Sequence, residues 1–207
     1  MTSLRVTVES LLTESELIPR DRKERLQRLA DWMAERLRKG APVRLNFICT
    51  HNSRRSHMGQ AMGLAAARHF DFSNVECYSG GTEGTAFFPS AIEALRSLGF
   101  QIERISAPEE KNPRYTLFTG SGPGTVFFSK RYDEEPNRME DAAAVLVCSQ
   151  ADEACPVVPG ASLRLSLPFE DPKAFDGTPE APEKYLERAR DIGREVLYAF
   201  SLAAGKS

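Results

Sequence analysis

Cys49 and Arg55 stand six residues apart in the stretch FICTHNSRRSHM (47–58). An apolar run ends on the thiol, and small polar residues, two arginines and Ser56 follow. If the run is a strand that feeds a helix, the loop between them lies where open α/β sheets bind ligands. Helix N-terminal N–H groups and the helix dipole favour an anion there. Successive amides of Thr50, His51, Asn52, Ser53, Arg54, Arg55 and Ser56 can form a concave nest for it. The same field stabilises a thiolate, which lowers the pKa of Cys49 and makes it a nucleophile. A guanidinium at Arg55 can hold two oxygens of a tetrahedral oxyanion at once, which a lysine cannot match. Ser56 can donate to the thiolate or to the anion. Asn52 suits a strained backbone position and can cross-brace the loop. A buried cysteine followed by a polar turn is the plainer alternative. Only the flanking strand and helix decide between the two, because the spacing alone arises often by chance.

The elements that must position this loop are legible as periodicities. VRLNFICT (43–50) reads as a buried strand, and SHMGQAMGLAAARHF (56–70) as a helix that Gly59 and Gly63 weaken slightly. Before them, residues 20–39 show Leu26, Leu29, Trp32, Met33 and Leu37 near one helical face, and Gly40 and Pro42 end the helix. VECYSGG (75–81) is a short strand, PSAIEALRSLGF (89–100) a helix with Pro near its start, AAAVLVCS (142–149) a fully apolar strand and LRLSLP (163–168) a shorter one. Residues 182–204 form a long amphipathic helix. This alternation predicts an α/β fold: a doubly wound, parallel four-stranded sheet flanked by helices. Residues 1–42 are expected as an N-terminal helical extension and 43–207 as the main domain. An insert at 107–136 breaks the rhythm, with β-prone aromatic runs around GSGPG that predict a hairpin.

Composition narrows the function classes. Lys+Arg 27 against Asp+Glu 29 gives a net charge of −2, without the basic footprint of a nucleic-acid or membrane-surface binder. No apolar run is long enough to span a bilayer. The first twenty residues carry acids and lack a long apolar core, so they do not read as a signal peptide. The expected compartment is the cytoplasm, where thiols stay reduced. The four cysteines are Cys49, Cys77, Cys148 and Cys155. None forms a Cys-x-x-Cys pair, and three histidines are too few for a histidine-rich site, so no metal is expected. Cys148 ends an apolar strand as Cys49 does, and neighbouring parallel strands can bring the two ends together. Cys77 is read as strand filler.

CTHNSRRS resembles the loop of the low-molecular-weight protein tyrosine phosphatases and of the arsenate reductases built on that fold. The resemblance covers residues 43–200, interrupted at 107–136. That family usually has Gly where this chain has His51, so either the loop departs from the usual geometry or the His51 side chain points away from the anion. Reductases often have Cys where this chain has Arg54, whose charge is expected to be solvated. The family's general acid lies in an Asp-Pro pair, which Asp171-Pro172 matches, with Glu170 and Asp176 as nearby rivals. VLVCSQADEACP (145–156) is similar to the thioredoxin-coupled reductases through Cys148, Asp152 and Cys155-Pro156.

The resemblance implies the following chemistry. Cys49 attacks arsenate held by the loop and Arg55, and Asp171 protonates the departing oxygen. Cys148 then attacks Cys49, and Cys155 attacks Cys148. A thioredoxin-like protein acts as reductant and co-substrate, with no bound cofactor. The alternative is a phosphatase acting on phosphotyrosine or a small phosphomonoester through Cys49, Arg55 and Asp171. In it, Tyr115, Phe118, Phe127, Phe128 and Tyr132 of the insert form an aromatic wall. Otherwise the insert packs as an extra layer or joins two copies in a homodimer. A third class, an anion-binding protein without catalysis, is disfavoured by the joint presence of Cys49, Arg55 and Asp171.

Overall fold

The computed structural model describes residues 3–154 and 157–206. Two helices open the chain, α1 (Leu4–Thr13) and α2 (Arg20–Arg38). Strand β1 (Val43–Cys49) follows, then α3 (Arg55–His69), β2 (Val75–Gly81) and α4 (Pro89–Ser97). Three short strands come next, β3 (Gln101–Arg104), β4 (Tyr115–Phe118) and β5 (Thr125–Phe127). The chain then runs through β6 (Ala142–Leu146), α5 (Ser149–Ala154), β7 (Ala161–Ser166) and α6 (Ala181–Ala204).

The main sheet is parallel in the order β2-β1-β6-β7. The order reverses at β1, so a crevice opens beyond the carboxyl ends of β1 and β6, the place where such sheets bind ligands. β6 is buried along its whole length, and β1 everywhere but Arg44, as strands covered on both faces must be. Helix α3 packs on β1, β2 and α6, and α2 packs on β7, β1 and α6. The glycines of α3 set its distance from the sheet. A Cβ at Gly59 would lie 2.5 Å from Phe47 Cδ1, and one at Gly63 would lie 2.7 Å from Cys77 Sγ.

The insert forms its predicted hairpin from β4 and β5, and β3 adds to it as a third antiparallel strand. Tyr115 and Phe127 face inward, while Phe118, Phe128 and Tyr132 are half-buried. Phe87 lies 6.0 Å from Phe127 and 5.8 Å from Tyr115, ring to ring, so this small sheet is an added layer on the core rather than a wall of the cleft.

The N-terminal segment has a helix beyond the one the periodicity predicts. Val8 and Leu11 of α1 and Leu26, Leu29 and Met33 of α2 are buried, each worth about 1.5–3 kcal/mol of apolar transfer. Glu14, between these helices, pairs with Arg190 and Arg194 of α6, and Arg22 makes two bonds to Glu195, of 2.6 and 2.8 Å. No helix among the described residues is long and apolar enough to cross a membrane.

Candidate active site

Cys49 is the last residue of β1 and only 4% exposed. Its Sγ lies 3.0 Å from Ser56 Oγ. Asn52 Nδ2 donates to the same Ser56 oxygen at 2.9 Å, which leaves the Ser56 hydroxyl proton free to point at the sulfur. Asn52 has φ +44°, a left-handed conformation that Asn tolerates better than most residues. Its Oδ1 accepts from the Lys130 N–H at 2.9 Å, so the side chain braces the loop at both ends.

The loop carbonyls turn outward. Cys49 O accepts from Thr82 N–H, Thr50 O from Glu83 N–H, and Ser53 O from Phe88 N–H. His51 O accepts from the hydroxyls of Thr85 and Ser129. Gly81 permits this close approach, since a Cβ there would lie 2.6 Å from Thr50 O. No backbone N–H from Thr50 to Ser56 donates to another described residue. A ring of outward carbonyls with unspent N–H groups is the arrangement of an anion nest.

The His51 imidazole reaches outward to Glu83 at 2.9 Å and is 39% exposed, so its bulk lies away from the nest. Arg55 opens α3. Its Nη1 donates to Phe169 O at 2.8 Å, its Nη2 pairs with Asp171 Oδ2, and its Nε is buried without a partner among the described residues. Asp171 Oδ1 caps the short 3-10 turn Pro172–Phe175 by accepting from Lys173 N–H at 3.0 Å. Of the rival acids, Glu170 is exposed and, among the described residues, pairs with Arg188 at 3.5 Å, while Asp176 faces Arg54.

The expectation that Arg54 is solvated is corrected. Its side chain is 11% exposed, and its guanidinium lies 3.9 Å from the Phe88 ring centre and donates to Tyr185 Oη and Asp176 Oδ2, both at 2.6 Å. Residue type alone did not reveal this, because its partners come from α6 and the segment after Asp171.

Cys148 lies just past β6 and is 1% exposed. Val147 N–H donates to Ile48 O at 2.8 Å, which sets Cys148 beside the end of β1. Cys148 Sγ accepts from Ala151 N–H at 3.3 Å and lies 3.5 Å from Thr50 Oγ1, the hydroxyl next in sequence to Cys49. Cys155 falls outside the described residues. Cys77 sits under α3, where burial first and Glu76 second push its thiol up, which suits filler rather than a nucleophile.

Sequence reasoning missed a buried layer beneath the loop. Ser79 Oγ donates to Gln60 Oε1 at 2.7 Å and lies 3.1 Å from His57 Nδ1, so the proton of that contact belongs to the imidazole. Burial, and then the charge of Lys130, hold His57 well below its usual range, hence neutral. Beside the nest runs a cleft of about 500 Å³, lined among others by Ser53, Arg54, Phe87, Phe88, Lys111 and Lys173.

Residues 44–115 match the model of the family described as low molecular weight phosphotyrosine protein phosphatase. An arsenate reductase 2 of Staphylococcus saprophyticus is 30% identical over 151 residues, 72% of this chain and 90% of that protein. An arsenate reductase of Halalkalibacterium halodurans is 26% identical over 151 residues, 72% of this chain and 89% of that protein. Among solved structures, the arsenate reductase of Archaeoglobus fulgidus shares the fold, with a TM-score of 0.51, 20% identity, and coverage of 76% of this chain and 98% of that one. With the nest at the end of β1, the parallel sheet that carries it and these relatives in agreement, the chain belongs to the low-molecular-weight phosphotyrosine protein phosphatase family, close to its arsenate reductases.

Proposed function

We propose that the chain reduces arsenate to arsenite by a thiol relay that ends on a thioredoxin-like protein in a reducing, cytoplasmic setting. The observation that carries this reading is a second thiol near the first: Cys148, two residues past the strand that neighbours β1, has its sulfur 3.5 Å from Thr50 Oγ1, the hydroxyl next in sequence to Cys49. A phosphatase needs only one.

In this reading the loop amides and Arg55 hold arsenate, and the Cys49 thiolate bonds to arsenic as an oxygen leaves, protonated by Asp171. Ser56, with its proton toward Cys49 Sγ, supports the thiolate. Cys148 then attacks Cys49 Sγ. The electron pair of the As–S bond goes to arsenic, which becomes arsenite, and a Cys49–Cys148 disulfide forms. Cys155 attacks Cys148 and frees Cys49, and the reductant opens the Cys148–Cys155 bond by exchange.

One observation favours the second reading, a phosphomonoester phosphatase using Cys49, Arg55 and Asp171. The cleft of about 500 Å³ beside the nest, with Phe87 and Phe88 in its lining, has room for an organic group that arsenate lacks. Arsenite production with thioredoxin as reductant tests the two. Cys49→Ser is expected to abolish it and Cys148→Ser to prevent multiple turnover. Inert arsenate, with an aryl phosphate hydrolysed normally by Cys148→Ser, would establish the phosphatase instead.

A further inference from the structure

We propose that Arg54, with Asp176 and Tyr185, forms a latch that keeps Asp171 over the nest while Arg55 turns to a bound oxyanion. The proposal rests on the reading of Cys49, Arg55 and Asp171 given above, and it holds for either chemistry.

The need for a latch follows from how Arg55 is used. Its two terminal nitrogens are both spent on the segment that carries the acid, one on Phe169 O and one on Asp171. A bidentate grip on an oxyanion uses either the Nε/Nη2 edge, whose Nε is unspent, or the Nη1/Nη2 edge, and both take Nη2 from Asp171. The anion and the Asp171 carboxylate also repel each other. Loading the nest therefore loosens the Arg55 bond that holds Asp171 down, at the moment when the acid has to be in place.

Arg54 is built to compensate. Its Nε and Nη2 hold Tyr185 Oη and Asp176 Oδ2, and Tyr185 Oη donates to Asp176 Oδ1 at 2.5 Å, which closes a three-membered network. Phe88 lies under both members, 3.9 Å from the Arg54 guanidinium and 5.7 Å from the Tyr185 ring, centre to centre. These bonds tie the end of the nest to α6 and to the residue that closes the 3-10 turn Pro172–Phe175. Asp171 opens that turn and caps it, and Pro172 is buried. The span from Asp171 to Asp176 is short and stiff, so fixing Asp176 limits where Asp171 can go. Neither of the two Arg54 nitrogens in this network is one that the nest presents to an anion. Arg54 is thus a positioning residue.

Hydrogen exchange on the full chain, with and without saturating inorganic phosphate, tests this. The reporters are the N–H groups of Phe169, Lys173, Asp176 and Thr178, which are hydrogen-bonded to Val147 O, Asp171 Oδ1, Lys173 O and Phe175 O. In the wild type their exchange is expected to be the same in both conditions. In Arg54→Ala it is expected to be slow without phosphate and to rise roughly tenfold or more with it. Asp176→Asn should show the same dependence on phosphate, and it serves if Arg54→Ala does not fold. Exchange in the variants that ignores phosphate, or that is equally fast without it, overturns the latch. Calorimetry on the same samples separates the causes. Phosphate that binds without opening the segment in the variants removes the latch alone, whereas a wild type that fails to bind phosphate removes the latch and the proposed function together.

Discussion

Lys130 serves the site through its backbone, and its side chain is a cost of that placement. Its N–H holds Asn52 Oδ1 and its carbonyl accepts from Gly81, while the residue is 3% exposed and its ammonium, among the described residues, meets Phe128 O at 3.3 Å and the Phe128 ring. Burial brings this lysine down from 10.5 to about 8, with Glu134 opposing. Between those values the unfolded chain holds a proton that the folded chain has released, so stability rises with pH across that window and the full penalty applies below it. Lys130→Met is therefore expected to stabilise the protein at neutral pH by up to about 3 kcal/mol, an advantage that fades as pH climbs toward about 10.5. Urea unfolding of both proteins at several pH values measures the difference, and a constant difference would refute the account. The pairing of Cys49 with Arg55 was legible in residue type and spacing, and Asp171 through the resemblance of its Asp-Pro pair. Lys130 was not, because what holds Asn52 is a backbone N–H that every residue but proline carries. His57 and Arg54 were hidden for a related reason: their partners arrive from distant segments.

The placement of the nest depends on how closely α3 approaches β1. Phe47 packs where a Gly59 side chain would be, and Cys77 where a Gly63 side chain would be. Read alone, the two glycines only weaken a helix, by about 1 kcal/mol each relative to alanine. Across the fold they allow a contact that a Cβ would block. Gly59→Ala gains helix propensity but forces the buried Phe47 ring to shift, which costs about 1–3 kcal/mol. The expected net effect is destabilisation of up to about 2 kcal/mol, seen as a lower urea midpoint at an unchanged slope. A higher midpoint would mean that the ring yields freely. The elements themselves were readable because strands buried on both faces and amphipathic helices leave distinct periods. β3 escaped notice, since its four residues, with only Ile102 buried, become a strand only when β4 pairs with them. α1 escaped too, because its apolar face, Val8 and Leu11, means little without α6 to cover it.

At the scale of the molecule, Arg22 ties α2 to the segment that leads to Asp171. Arg22 grips Glu195 of α6 with two bonds, donates from Nη1 to Pro168 O at 2.9 Å, and lies 4.6 Å from the Phe169 ring centre. Pro168 and Phe169 lead directly to Asp171, so α2, α6 and the acid's segment converge on this side chain. The Glu195 side chain is 7% exposed, and burial raises its carboxyl above the ordinary 4.5 even with Arg22 opposing. Removing one partner of such a pair leaves a buried charge alone, at a cost of about 3–5 kcal/mol. Arg22→Met keeps much of the apolar stem but also removes the Pro168 bond and the contact over Phe169, and the pH dependence separates these from the Glu195 charge. Without Arg22 the Glu195 carboxyl rises further, so the folded variant holds a proton that the unfolded chain has released above about 4.5. Its stability then falls as pH rises through that window. The deficit relative to wild type should be small near pH 4.5 and approach about 3–5 kcal/mol at neutral pH. Unfolding curves of both proteins across that range decide it: a deficit that is flat with pH would mean that the loss lies in the Pro168 bond and the packing on Phe169, with Glu195 a bystander.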